Sequence, residues 1–232
     1  MKYSIHPLGD SAVLIDFHDL CEETCMNTMT AFTDAVTDNQ HKAIIEALPA
    51  YKTVTIHYNP LKIHSPSPFK VIEDLLVEKL NGLQPNENSP QKKVITIPVL
   101  YGSEAGPDLA FVAEHCNISE EKVIELHTRP IYSVAFLGFS PGFPFLKGME
   151  PSIASPRRKN PRVRIDAGSV GIAGNQTGVY PISSPGGWQI IGKTPLKLFD
   201  PDNPSQPALL SQGDQIKFSP ITRAEFERLE ES

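Results

Sequence analysis

Apolar residues in the first third of the chain follow two different spacings. Three segments alternate apolar with polar residues or run apolar without a break, which is typical of strands: Ala12 to Phe17, Ile44 to Ile45 and Thr53 to Tyr58. Two others repeat apolar residues every three or four positions, which is typical of helices: Glu22 to Val36 and Phe69 to Leu80. This order of strands and helices predicts a small α+β domain over residues 1–83, with one sheet and its helices on one face.

After residue 92, short apolar segments are separated by proline and glycine. Ten of the 15 glycines fall between Gly138 and Gly192, which excludes a mainly helical domain. The segments that we predict to be strands are Val94 to Val99, Tyr132 to Leu137, Ser169 to Ala173, Gln176 to Tyr180, Trp188 to Ile191, Leu196 to Phe199 and Gln215 to Phe218. Helices are predicted to begin at Gly106 to Asp108 and at Ser119, and Thr222 to Leu229 is a short amphipathic tail. We therefore predict a barrel or sandwich over residues 93–232, joined to the first domain by a polar linker at 84–92.

Composition and charge exclude several classes of protein. The 232 residues contain no apolar run of the roughly 20 residues that a membrane span requires, and the N-terminus lacks the apolar core of a signal peptide. Three cysteines do not make a disulfide framework, so we expect a cytoplasmic protein with no membrane partner. The net charge of −6 argues against nucleic-acid binding, and no spacing of His or Cys predicts a metal site.

The cationic residues are concentrated in one segment. Every arginine follows Lys92, and five of the eight residues from Arg157 to Arg164 are cationic. Arg162 and Arg164 are two positions apart, so they would share one face of a strand. Such a segment suits a substrate carboxylate or a phosphate, because arginine binds planar anions through two parallel hydrogen bonds. The alternative is a solvated loop that carries surface charge.

A glycine-rich segment, Gly168 to Gly178, follows the arginines. Its glycines allow the backbone to approach a ligand closely, and Ser169, Asn175, Gln176 and Thr177 offer hydrogen-bond donors. Tight packing of strands at the corners of a barrel explains the same glycines equally well.

Aromatic residues are interleaved with glycine and proline in Leu137 to Leu146. This segment contributes Phe139, Phe143 and Phe145, and the single tryptophan, Trp188, lies in a second segment of similar composition. Aromatic side chains on stiff loops commonly line a pocket or dock a partner. A buried turn is the alternative interpretation.

Two motifs that suggest catalysis have competing explanations. Gly187 to Thr194 matches the phosphate-binding Walker A pattern, but Trp and Ile inside it favour a strand and Pro195 follows it, so we predict no phosphate loop. His127 ends a predicted helix and is a candidate general acid or base, although a histidine there is also a common partner of the helix dipole.

The motifs together resemble a known family. The run PRVRIDAGSVGIAGNQTGVYPISSPGGWQIIGKTP, preceded by FLGFSPGFPFL, is similar to the family that comprises allophanate hydrolase subunit 1-like proteins, kinase-inhibitor-like proteins and B-type 5-oxoprolinase subunits. The likeness covers nearly the whole chain, from Pro7 to Asp10 through Gly106 to Leu109 and on to Gly213 and Asp214. Asp166 departs from it, because the family has proline there, and places a negative charge beside the arginine pair.

The resemblance implies a fold and an activity. It implies an α+β N-terminal domain followed by a cyclophilin-like β-barrel. It also implies a subunit of an ATP-dependent 5-oxoprolinase that works with subunits A and C and converts 5-oxoproline to L-glutamate. ATP is then used by the complex and is not clearly bound by this chain, which we expect to be inactive alone. The alternatives are an inhibitor of a sporulation-type histidine kinase and a subunit of an allophanate- or urea-type amide hydrolase.

Combined with the motifs, the resemblance leads to three sets of candidate site residues. The candidates for catalysis are His127, Arg162, Arg164 and Gln176. Those for substrate binding are Arg157, Arg158, Gly168, Ser169, Thr177 and Tyr180. Those for a pocket or partner surface are Phe139, Phe143, Phe145 and Trp188.

Overall fold

The chain forms two compact units, Met1–Gln91 and Lys92–Ser232. The computed structural model describes residues 2–18, 22–38, 41–83, 94–203 and 205–231, without the side chains of residues 22–26. The predicted linker, 84–92, lies outside the described residues. Among the described helices, none combines the length and apolar character needed to cross a membrane.

The first unit is a four-stranded antiparallel sheet with two helices. Its elements are β1 (Tyr3–Pro7), β2 (Ala12–Phe17), α1 (Glu22–Thr37), β3 (Ile44–Ala50), β4 (Thr53–Tyr58) and α2 (Pro68–Gly82), and the strand order is β1-β2-β4-β3. Val13, Ile15 and Phe17 alternate along β2 and are fully buried against apolar residues of both helices. The predicted α+β unit is confirmed, with β1 as an additional edge strand.

The second unit is a closed barrel of seven strands. Its elements are β5 (Val94–Tyr101), α3 (Leu109–Cys116), α4 (Glu120–Thr128), β6 (Tyr132–Leu137), β7 (Pro144–Lys147), β8 (Arg162–Ile165), β9 (Ser169–Ala173), β10 (Gln176–Val179), β11 (Ser184–Gly186), β12 (Gln189–Lys193), β13 (Gln215–Pro220) and α5 (Arg223–Glu230). The order around the barrel is β10-β7-β6-β13-β5-β12-β9. Among the described strand pairs, only β13–β5 is parallel, and β8 pairs with β11 in a separate two-stranded sheet. The predicted order of an α+β unit and then a barrel is confirmed.

Two helices of the barrel unit begin at capping residues, and the cap at Ser119 was predicted from the sequence. The hydroxyl of Ser119 accepts a hydrogen bond from the Lys122 N–H at 3.2 Å, which starts α4. Thr222 and Glu225 exchange hydrogen bonds in a capping box that starts α5. Asp108 differs, because its side chain does not cap α3 and is buried instead.

One strand prediction and one loop prediction in the barrel unit were wrong. Leu196 to Phe199 forms no strand beyond an isolated bridge at Phe199, since Pro195 has no N–H and the Leu196 N–H donates to Thr194 Oγ1 at 3.3 Å. The aromatic segment was predicted as a loop, but its end forms β7, which pairs with β6. Pro144 is tolerated because it is the first residue of that strand.

Candidate functional site

A buried carboxylate organises the cationic segment. Asp108 Oδ1 accepts hydrogen bonds from Arg158 Nη1 and Arg162 Nη2, and Oδ2 accepts one from Arg162 Nη1, all at 2.8 Å. The Asp108 side chain is only 6% exposed. Arg162 therefore holds the carboxylate through two parallel bonds, which is the strongest geometry that an arginine can offer.

The position of Asp108 depends on its pairing with β12. Its N–H donates to the Ile190 carbonyl at 2.8 Å, and its Oδ2 accepts from the Ile190 N–H at 2.7 Å. Gly106 makes this approach possible, because a Cβ on it would lie 2.0 Å from the Ile191 carbonyl oxygen. The loop before α3 is thereby fixed against the barrel wall, and the carboxylate points at the arginines.

The Asp108 cluster, which consists of Asp108, Arg158 and Arg162, carries more positive than negative charge. One carboxylate neutralises one of the two guanidinium groups that it contacts. The hydrogen bond to Asp108 raises the pKa of Arg162, so this arginine stays charged. Arg158 Nε is buried without a hydrogen-bond partner among the described residues. The cluster therefore has positive charge and N–H groups to offer an anion.

Arg158 lines a small cavity, the aromatic pocket, of about 190 Å³. Its lining consists of Phe139, Phe143, Phe145, Arg157, Arg158, Pro161, Tyr180, Gly186, Gly187 and Trp188. Two cations and no carboxylate occur among these described lining residues. The pocket thus joins apolar walls to a positive region, which suits a small anion with an apolar body.

The walls of the aromatic pocket are rings in edge-to-face contact. The Phe143 ring centre lies 5.2 Å from that of Tyr180 and 5.4 Å from that of Trp188, with interplanar angles of 83° and 86°. Gly186 gives room for Tyr180, since a Cβ there would lie 2.4 Å from the phenol oxygen. These packed rings make the pocket a preformed cavity.

Phe139 and Tyr180 differ from the other residues of the aromatic pocket, Phe139 in its exposure and backbone conformation and Tyr180 in its pKa. Phe139 is 66% exposed and has a positive φ of 71°, a conformation that costs energy for a bulky residue. Burial raises the pKa of Tyr180 to about 12, although hydrogen bonding to the backbone of Trp188 and the charges of Arg157 and Arg162 act in the opposite direction. The Tyr180 hydroxyl is therefore protonated at neutral pH and available as a hydrogen-bond donor.

A second, larger cavity is the polar cavity of about 350 Å³. Its charged and polar lining includes Glu104, Arg162, Arg164, Asp166, Ser169, Lys193, Arg223 and Glu230. Arg162 and Arg164 both line it, which confirms that they share a face of β8. Arg164 Nε donates to Asp166 at 3.1 Å, and both side chains are exposed. Charges of both signs lie in this cavity, in contrast to the aromatic pocket.

His127 and Thr177 lie inside the barrel and line neither cavity. His127 Nδ1 is 2.8 Å from the Tyr101 hydroxyl, and Nε2 is 2.9 Å from Thr177 Oγ1. Because Thr177 Oγ1 donates to the Gly171 carbonyl, it accepts from Nε2–H, and Nδ1 accepts from Tyr101. Complete burial lowers the pKa of His127 to about 3. The imidazole is a neutral hydrogen-bonded bridge.

The structure brings together only part of the predicted site. Arg157, Arg158, Tyr180 and the four aromatic candidates share the aromatic pocket, while Arg162, Arg164 and Ser169 share the polar cavity. Gln176 begins β10, and Gly168 lies buried in the turn before β9; neither lines a cavity described here. Sequence reasoning missed Asp108 as an arginine partner, although Gly106 to Leu109 belongs to the motifs that carry the resemblance.

The Walker A match is part of the barrel wall. Within this match, Gln189–Lys193 form strand β12, as the Trp and Ile residues predict. Thr194, the last residue of the match, is buried. No helix begins at Thr194, and the described residues 195–203 contain none. The backbone of Gly187 to Thr194 is therefore not arranged to surround a phosphate with its N–H groups. Among the described residues, no group of three His, Cys, Asp or Glu side chains is arranged to hold a metal ion.

Comparisons with known proteins agree on one family. The profile described as "Carboxyltransferase domain, subdomain C and D" matches residues 3–210. The chain is 43% identical to the B-type 5-oxoprolinase subunit of Bacillus subtilis (strain 168), over 100% of this chain and 98% of that protein. A conserved uncharacterized protein from Pyrococcus horikoshii is 43% identical with a TM-score of 0.56, over 96% of this chain and 100% of that one. The urea carboxylase of Kluyveromyces lactis shares the fold, with a TM-score of 0.80 at 22% identity over 99% of this chain and 22% of that one.

Proposed function

Because the chain belongs to the family of carboxyltransferase domains, subdomains C and D, we propose that it is the B-type subunit of an ATP-dependent 5-oxoprolinase. Assembled with subunits A and C, it converts 5-oxoproline to L-glutamate. The relative from Bacillus subtilis, similar over its whole length, supports this proposal. The chain alone is then an incomplete catalyst.

The observation that carries the proposal is the aromatic pocket with its two arginines. 5-Oxoproline is a five-membered lactam that bears one carboxylate. Arg158, with Arg157 beside it, binds the carboxylate, and Phe143, Tyr180 and Trp188 enclose the ring. The protonated Tyr180 hydroxyl supplies a hydrogen-bond donor for a polar atom of the lactam.

The chemistry of lactam opening explains why several subunits are needed. A lactam carbonyl is a weak electrophile, and transfer of the γ-phosphoryl group of ATP to its oxygen releases ADP and activates the carbon. Water then adds to that carbon and the C–N bond breaks, which leaves an acyl phosphate on the opened chain. A second water hydrolyses the acyl phosphate and gives glutamate and phosphate. Phosphoryl transfer depends mainly on positioning and charge neutralisation. We assign nucleotide binding to the partner subunits, because the Walker A match in this chain is a strand.

Reconstitution of the complex tests the proposed function. This chain is co-expressed with subunits A and C, and ADP and glutamate formation from 5-oxoproline are assayed with each subunit omitted in turn. Glutamate formation should require all three subunits. Full activity without this chain, or from this chain alone, would contradict the proposal. Assembly without activity would favour the urea-type amide alternative.

One substitution tests the pocket within that complex. Arg158→Ala should raise the KM for 5-oxoproline by about 10- to 100-fold, because a hydrogen bond between charged groups contributes about 1.5–3 kcal/mol. The matched control is Lys159→Ala, which removes a neighbouring exposed cation that lines neither cavity. Equal effects of the two variants would exclude the aromatic pocket as the carboxylate site.

The exposure of Phe139 favours a second candidate, in which the aromatic pocket docks another protein. A sensor histidine kinase is the partner in that case. Phe139→Ala should then weaken binding of the kinase measured by titration calorimetry, whereas Arg158→Ala should have the smaller effect. The opposite order would favour the enzyme subunit.

A further inference from the structure

Asp108 connects the two cavities through its arginine partners. Arg158 lines the aromatic pocket, Arg162 lines the polar cavity, and both donate to the same carboxylate. Asp108 itself lines neither cavity. We propose that Asp108 is a positioning residue, which holds the Arg158 guanidinium in the orientation that binds a ligand carboxylate in the aromatic pocket.

Arg158 depends on Asp108 for its orientation. The residue lies outside any strand, where its backbone N–H donates to the Gly187 carbonyl at 2.7 Å. Among the described contacts, the bond from Nη1 to Asp108 is the only hydrogen bond of its side chain. An arginine side chain has many rotamers, and fixing one of them costs conformational entropy. One bond to a buried and rigid carboxylate removes that cost before a ligand arrives.

Asp108 is rigid because its other partners are fixed. Arg162 holds both carboxylate oxygens, and the Ile190 N–H of β12 holds Oδ2. The Arg158 bond leaves the other N–H groups of this guanidinium without a protein acceptor among the described residues, and one of them, Nε, is buried. The Nη groups are not buried in this way, and a carboxylate in the pocket would accept from them.

The direction in which one substitution changes ligand affinity separates positioning from simple electrostatics. Asp108→Asn keeps the size of the side chain and removes one negative charge close to Arg158. If charge alone mattered, an anion in the aromatic pocket would bind more tightly, since a nearby like charge has gone. If Asp108 positions Arg158, a carboxylate ligand binds more weakly despite the added positive charge.

Trp188 provides the readout, because it is the single tryptophan of the chain and lines the aromatic pocket. Its emission is titrated in the full chain with 5-oxoproline and with cyclopentanecarboxylate, which keeps the ring and the carboxylate but has no lactam. Iodide quenching of Trp188 follows the response of a spherical anion, which needs no orientation. The matched control is Asp200→Asn, since Asp200 also pairs with a cation, Lys197 at 2.8 Å, and lines neither cavity.

In Asp108→Asn, the apparent Kd of both carboxylates should rise by about tenfold, with iodide quenching equal to or above that of the wild type. Asp200→Asn should stay within about twofold of the wild type. On an Arg158→Ala background, Asp108→Asn should cause no further loss, because the group that it positions is already absent. Unchanged or tighter carboxylate binding in Asp108→Asn, or an additive loss in the double variant, would overturn the positioning role.

The same titrations separate this inference from the proposed function, on which it rests for its ligand class. If the wild-type chain binds cyclopentanecarboxylate but not 5-oxoproline, 5-oxoproline is excluded as the ligand. The role of Asp108 is then still tested with cyclopentanecarboxylate. If the wild-type chain binds neither carboxylate, the result contradicts both the proposed substrate site and the positioning role of Asp108. If Asp108→Asn does not fold, Arg158→Lys replaces it. That variant keeps the charge but loses the planar group, so it should also bind both carboxylates more weakly.

Discussion

At the scale of single residues, burial decides what a titratable side chain can do. His127 is enclosed by the barrel and hydrogen-bonded at both ring nitrogens, so its imidazole stays neutral. Arg158 and Arg162 retain partial exposure and pair with Asp108. A histidine at the end of a helix and an arginine on a strand look equally reactive in a sequence. Their surroundings give them different roles.

The low pKa of His127 makes the fold sensitive to acid. Its pKa falls from 6.5 to about 3 on folding. Below pH 6.5, His127 is therefore protonated in the unfolded chain but stays neutral in the folded chain. This group should therefore lower the free energy of unfolding by about 1.4 kcal/mol per pH unit as the pH falls through that window, and have no effect above it. Urea denaturation at pH 7 and pH 5 should show the loss in the wild type.

His127→Gln is the comparison for that measurement, because glutamine can also accept from Tyr101 and donate to Thr177 but does not titrate. The wild type should lose about 2 kcal/mol more than this variant between pH 7 and pH 5. Equal losses in the two proteins would show that His127 is not held neutral by the fold.

At the scale of elements, the site depends on the contact between the loop before α3 and strand β12. Asp108 exchanges two hydrogen bonds with Ile190, and Gly106 allows the backbones to meet. The barrel wall therefore fixes the carboxylate that holds both arginines.

Gly106→Ala should break this contact. The new Cβ would meet the Ile191 carbonyl oxygen at 2.0 Å, and we expect the free energy of unfolding to fall by about 3 kcal/mol, with weaker carboxylate binding at Trp188. Gly174→Ala is the control, because its Cβ would meet nothing within 4 Å and only its positive φ would cost about 1 kcal/mol. Thermal melting of both variants makes the comparison, and equal losses would contradict the expected clash.

The elements also show what the sequence can predict and what it cannot. Alternation and helical spacing identified β2, β4, α1 and α2, because each pattern reflects burial of one face of that element. Strand β7 was missed, since Gly142 and Pro144 are residue types typical of turns. The Asp108–Arg162 bond joins residues 54 positions apart, and no local pattern reports such a contact.

At the scale of the whole molecule, the two units divide the work. Each has its own apolar core, and both cavities with all their lining residues belong to Lys92–Ser232. The α+β unit contributes no residue to either cavity.

We predict that residues 92–232 fold alone and keep the aromatic pocket, because every contact that builds it lies within this unit. The fragment should show the same Trp188 emission maximum as the full chain and the same Kd for cyclopentanecarboxylate within about twofold. An unfolded fragment, or a folded one with red-shifted emission, would mean that the α+β unit is needed to form the pocket.

The left-handed backbone of Phe139 has a consequence for anyone who wishes to redesign this protein. Glycine or asparagine adopts that conformation more readily, so selection for thermal resistance would favour either of them at this position. The gain would remove an aromatic ring from the mouth of the aromatic pocket. A stabilised library of this chain would thus lose ligand or partner contacts at Phe139 without any sign of damage to the fold, and this position should be held constant during such optimisation.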